Sequence, residues 1–64
     1  MYLVQNKNDP SLFLGDDHKW VRKEQAIKFK DLATADRTAH IHFAVIFHED
    51  SGQVYSSGGM IFKH

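Results

Sequence analysis

Three imidazoles within nine residues, in His40-Ile41-His42-Phe43-Ala44-Val45-Ile46-Phe47-His48, are the densest chemical potential in this sequence. Read as a strand, the segment puts Ile41, Phe43, Val45 and Phe47 on one apolar, core-directed face and His40, His42, Ala44, Ile46 and His48 on the other. His40-x-His42 then holds two imidazoles ~6.5–7 Å apart at Cα, a spacing compatible with shared ligation of Zn²⁺ if a third ligand is close. His48 lies ~13 Å beyond on such a strand. The third ligand would have to be His64, His18, an acidic residue or a group from another subunit. None is local in sequence, so the expectation is no metal in folding and no cofactor. The plainer reading is a polar, half-exposed sheet face able to meet a polyanion, a nucleotide or a subunit.

Other chemistry has less support. With no cysteine, and with Ser11, Ser51, Ser56 and Ser57 outside any nucleophile elbow, covalent catalysis lacks its parts. No acidic pair suggests glycosidase or two-metal chemistry. Ser56-Ser57-Gly58-Gly59 lacks the spacing of a phosphate loop and leads into no helix, so it reads as a strand bulge. The chain is therefore expected not to be an enzyme.

The positioning elements must come from one small domain, residues 1–64, because 64 residues hold only a single core. Equal numbers of basic and acidic residues, eight each, give no global attraction to nucleic acid or anionic lipid. Lys19, Arg22, Lys23, Lys28 and Lys30 do make one basic segment, which reads first as a solvated helix face. No apolar run approaches a membrane span or a signal peptide, and absence of cysteine suits a reducing compartment, so a cytoplasmic site of action is expected.

Tyr2–Gln5 and Ser11–Leu14 read as a hairpin around the turn-rich Asn6–Pro10 stretch, with Asn8 or Asp9 bonding the following backbone. Gly15–His18 ends the second strand. Ala26, Ile27, Phe29, Lys30 and Ala33 recur at spacings of three and four, and Glu24 can pair with Lys28, which predicts a helix from about Arg22 to Leu32 or Ala33. Trp20 would pack at its entry and Phe29 would anchor it. Ala33–Ala39 is open between helix extension, a second short turn and a loop. After the central strand, Glu49–Gln53 is a hairpin connection with Gly52 left-handed, and Val54 to Phe62 is the returning strand. A three-residue Asp50–Gly52 loop, slightly preferred over a two-residue turn, puts Tyr55 and Ile61 on the core face. The expected fold is α+β, ββαββ, a small antiparallel sheet with one helix on the face carrying Ile41, Phe43, Val45 and Phe47.

Tyr2-x-Val4, Phe13-Leu14, Trp20, Ala26, Phe29 and the alanines at 33 and 35 together resemble small accessory proteins of tailed phages, over residues 2 to about 37. These are packing positions and carry no catalytic role. The resemblance implies a host-takeover or counter-defence factor that binds a host protein or sequesters a signalling nucleotide. The expected function is therefore that of a small non-enzymatic inhibitor acting by stoichiometric binding in the host cytoplasm. His40, His42, Tyr55, Arg22, Lys23 and Arg37 are the candidate contacts to an acidic protein or a phosphate. A nucleic-acid-binding regulator using Lys19–Lys30 is the alternative. A homodimer is expected, because apolar groups such as Ile46 and Ile61 or Phe62 would otherwise lack cover.

Overall fold

The structure, a computed structural model, describes residues 1–56. The expected α+β class holds: five antiparallel strands form one sheet with a single helix packed against it. The strands are β1 (Tyr2–Gln5), β2 (Phe13–Leu14), β3 (Trp20–Val21), β4 (Val45–His48) and β5 (Val54–Ser56), and the helix is α1 (Leu32–Ile41). Their order across the sheet is β3-β2-β1-β4-β5, with β1 and β4 paired centrally from Tyr2↔His48 to Gln5↔Val45.

Local chemistry accounts for the first hairpin. Asn6 Oδ1 accepts from the amides of Asn8 and Asp9 at 2.8 and 2.9 Å, and Asp9 Oδ1 accepts from the Ser11 amide and hydroxyl at 3.1 and 2.6 Å. These bonds satisfy loop backbone that has no ladder partner, and the Ser11 hydroxyl and amide hold the Asp9 carboxyl below its ordinary value. The next turn is an additional hairpin that the sequence did not suggest. Gly15 N–H donates to the Lys19 carbonyl at 2.8 Å and His18 N–H to the Gly15 carbonyl at 3.1 Å, so Asp16-Asp17-His18 is a three-residue loop. Its last residue, His18, takes the left-handed position at φ 60°. A Cβ on Gly15 would lie 3.0 Å from a Val21 methyl, which explains the residue chosen there.

The helix lies later than the spacing predicts. Residues 22–31 instead form a short 3-10 turn, Lys23–Gln25, followed by extended chain. Ile27 N–H donates to the Leu14 carbonyl, and Phe29 and Tyr2 exchange two backbone bonds of 2.7 and 2.8 Å, so this stretch is committed to the sheet. Asp31 then starts α1. Its carboxylate accepts from the Thr34 amide at 3.2 Å and the Thr34 hydroxyl at 2.9 Å, an N-cap that lowers its pKa. Phe29 is half-buried against the core from extended chain and so anchors no helix, and Trp20 lies in β3 and not at a helix entry.

Register then inverts the expected core. Ala35, Ala39 and the partly buried Leu32 bring α1 close to Val4, Leu14, Ala44 and Ile46, and the small alanines permit that approach. Ile46 is fully buried by this packing and needs no further cover, while Ile61 and Phe62, the other apolar groups behind the expected homodimer, lie outside the described residues. Val45 and Phe47 turn to the opposite sheet face with Leu3 and Phe13, where the Phe13 and Phe47 rings meet edge to face at 5.7 Å. Ile41 and Phe43 are in neither layer, being 65% and 83% exposed.

The last hairpin pairs Ile46 with Tyr55 and Phe47 with Val54. His48 and Gln53 close the ladder through a 2.8 Å bond, so the loop is the four residues Glu49–Gly52 and not three, with Gly52 left-handed at φ 76°. Tyr55 is nonetheless the core-facing residue, as expected, and Val54 is exposed. The expected strand positions Met60, Ile61 and Phe62, the bulge at Gly58-Gly59, and His64 lie outside the described residues.

Candidate functional site

Two non-glycine residues among those described have positive φ, His18 at 60° and Phe43 at 54°. A left-handed backbone costs an ordinary L-residue roughly 1–2 kcal/mol, and such strain concentrates where a side chain must be held in a particular place. Both residues flank His42, the residue that caps α1.

The end of α1 explains Phe43. Its N–H donates to the His40 carbonyl at 3.2 Å, and Ala44 N–H reaches back to the Ala39 carbonyl at 2.8 Å. These two bonds make a Schellman motif, with Phe43 in the place where glycine is usual. The motif closes on an apolar contact between Ala39 and Ala44, both buried, which fixes the chain reversal into β4. The result is an aromatic ring projected from the helix end with 83% of its surface in water.

Helical spacing places other exposed groups together on α1. Arg37, His40 and Ile41, at i, i+3 and i+4, share the outward stripe of α1, and all three are exposed. Arg37, His40 and Ile41 are thus exposed on one stripe of α1, and Phe43 is exposed just past its C-terminal end. Two of these, Arg37 and His40, were expected from sequence. Ile41 and Phe43 were assigned to the core, because period-two alternation across 40–48 matched a strand.

His42 points elsewhere, since residues two apart on a helix lie on opposite sides. Its Nδ1 is 2.9 Å from the Thr38 carbonyl and its Nε2 is 3.3 Å from His18 Nδ1. A carbonyl only accepts, so His42 carries its proton on Nδ1, Nε2 is the acceptor, and His18 donates from Nδ1. The two ring planes lie 15° apart, and the Trp20 ring meets His42 edge to face at 6.4 Å between centroids. The expected pairing of His40 with His42 on one strand face is replaced by a pairing of His42 with His18.

The remaining candidates do not converge on this end. Lys23 places its ammonium 4.9 Å above the Phe47 ring, on the sheet face turned away from α1. Arg22 is exposed immediately before the 3-10 turn, and Tyr55 packs against the core with its hydroxyl donating to Gln53 Oε1 at 2.9 Å. His48 is occupied by local contacts, stacked on Tyr2 at 4.7 Å and bonded to the Ser51 hydroxyl at 2.8 Å. Lys28 pairs with Glu49 at 3.0 Å, and because residues 22–31 are not an α-helix the Lys19–Lys30 cations form no single helical stripe. Among the described residues no helix is long and apolar enough to cross a membrane, and no cluster of three or more histidine or acidic side chains is placed to hold a metal ion. No family model, curated protein or solved structure matches the chain.

Proposed function

We propose that this chain is a non-enzymatic binding protein that occupies a partner protein stoichiometrically, with Phe43 as the anchor of the contact. The observation that carries this reading is a large aromatic ring held in water by a left-handed backbone that glycine would adopt at less cost. Aromatic side chains dominate interface energetics when they fill a partner's pocket, and a preorganised one loses little entropy on docking. Arg37 and His40 on the exposed stripe of α1, which ends just before Phe43, suit an acidic rim around an apolar pocket. This chemistry favours a protein over a signalling nucleotide, for which Ile41 and Phe43 would supply no hydrogen bonds. The resemblance to phage accessory proteins gives the proposal its setting, inhibition of a host defence protein in the host cytoplasm. Tyr55, Arg22, Lys23 and His42 are then peripheral to the contact.

Full-length chain used as bait in an infected-host lysate should retain one protein at a fixed ratio, and Phe43→Gly and Arg37→Glu should each release it. Retention through nucleic acid instead would weaken by orders of magnitude between about 50 and 200 mM salt and would follow Lys19, Lys23 and Lys30. Self-association through Phe43 would appear as a dimer by light scattering that Phe43→Gly returns to monomer. Undiminished partner retention by the Phe43 variant would overturn the proposal.

A further inference from the structure

We propose that His18 and His42 form a two-imidazole site for a divalent transition-metal ion of the zinc class. The first support is orientation. His42 Nδ1 is tied to the Thr38 carbonyl at 2.9 Å, which sets the tautomer and leaves the lone pair on Nε2, facing His18. Metal-ligating histidines are held in the same way, the second ring nitrogen donating to a carbonyl or carboxylate that sets tautomer and direction. The second support is distance. Two Zn–N bonds of about 2.0–2.1 Å at a tetrahedral angle put their nitrogens roughly 3.3–3.4 Å apart, and His18 Nδ1 stands 3.3 Å from His42 Nε2. An ion therefore enters without spreading the pair. Each ring turns by roughly 35° to redirect its lone pair from the other nitrogen to the ion. The third support is cost: His18 reaches this place from a left-handed backbone, in a loop position where glycine or asparagine would suffice to make the turn.

The same two atoms are held at this separation without metal by the N–H···N bond, so the fold does not depend on the ion. On metal binding the His18 proton sits on Nε2 in place of Nδ1, which frees the Nδ1 lone pair for the ion. Among the described residues no third ligand joins the pair, which leaves coordination positions for water or for a donor from outside the chain. Imidazole nitrogens favour zinc, nickel and copper over magnesium and calcium, which take oxygen ligands. This inference does not depend on the docking role of Phe43.

The test is calorimetric titration of the full chain with Zn²⁺ alone, followed in parallel by the fluorescence of Trp20, the single tryptophan, which contacts His42. One zinc per chain is expected, with Mg²⁺ silent. His18→Asn and His42→Gln should each weaken binding by about 10-fold or more, a scale on which even outer-shell changes act, while His40→Gln and His48→Gln leave it unchanged. Asparagine tolerates the left-handed backbone, so the His18 variant remains decisive if the His42 variant fails to fold. Zinc binding that survives His18→Asn, falls equally with His40→Gln, or is absent in the wild-type chain would overturn the proposal.

Discussion

Replacing Phe43 by alanine and by glycine separates the cost of its backbone from the worth of its side chain. With Phe43 83% exposed, less than a fifth of its surface is removed from water. At about 25 cal/mol per Å² on a side chain of about 200 Å², that burial stabilises the fold by at most about 1 kcal/mol. Alanine loses this and keeps the left-handed strain. Glycine loses it too, but relieves roughly 1–2 kcal/mol of strain and gives back about 0.5–1 kcal/mol through its freer unfolded chain. Phe43→Ala should therefore destabilise by about 1 kcal/mol or less, and Phe43→Gly should lie close to wild type and above the alanine variant. Urea unfolding followed by Trp20 fluorescence measures this as a shift of midpoint at constant slope. A loss above about 2 kcal/mol for Phe43→Ala would mean a packed ring, and an alanine variant more stable than the glycine variant would mean that residue 43 is not left-handed. Either result would refute the reading of the α1 terminus.

Three further outcomes follow from the same geometry. Ile46→Ala, which empties a fully buried site between α1 and the sheet, should cost about 2–5 kcal/mol, whereas Ile41→Ala on the exposed stripe should change the urea midpoint little. Asp31→Ala should lower the midpoint at neutral pH by removing the N-cap. Because the folded carboxyl is held below its ordinary 3.8 by the Thr34 hydroxyl and amide, that contribution is complete above about pH 4 and lost as pH falls through the folded value, so the two proteins should converge in acid. Zinc-free chain should melt as a folded protein with or without EDTA, since the His18–His42 bond needs no ion; unfolding in EDTA that zinc reverses would show a structural metal.

Much of the fold was legible where a residue's local chemistry is strong. Asp9, Gly52 and the short apolar runs at Tyr2–Gln5 and Phe13–Leu14 mark turns and strands through side-chain bonds and backbone freedom that few residue types supply. The helix was displaced because its signals are unusual. Asp31 caps it correctly, but Lys28 and Phe29 before it mimic a helical period, and the Tyr2–Phe29 backbone pairing that removes them from a helix is non-local. At the other end the chain places phenylalanine where glycine would have announced a stop. Ile41 and Phe43 then continue the alternation of β4 by coincidence, and the whole stretch reads as one strand. The candidate site was hidden for the same reason. In the sequence Arg37 and His40 stand out as polar contacts, while Ile41 and Phe43 alternate as core residues do and yet enter no core. His18 was recognised only as a possible distant ligand, because its approach to His42 depends on a hairpin whose left-handed residue is a histidine.

The central claim is that an exposed, backbone-strained Phe43 anchors a stoichiometric partner complex. The most direct measurement is native mass spectrometry of material captured from infected-host lysate by the wild-type chain and by Phe43→Gly, side by side. Wild type should carry one partner protein at a fixed ratio, and Phe43→Gly, folded with a urea midpoint close to wild type, should carry none. The same partner at the same ratio on the glycine variant would contradict the account.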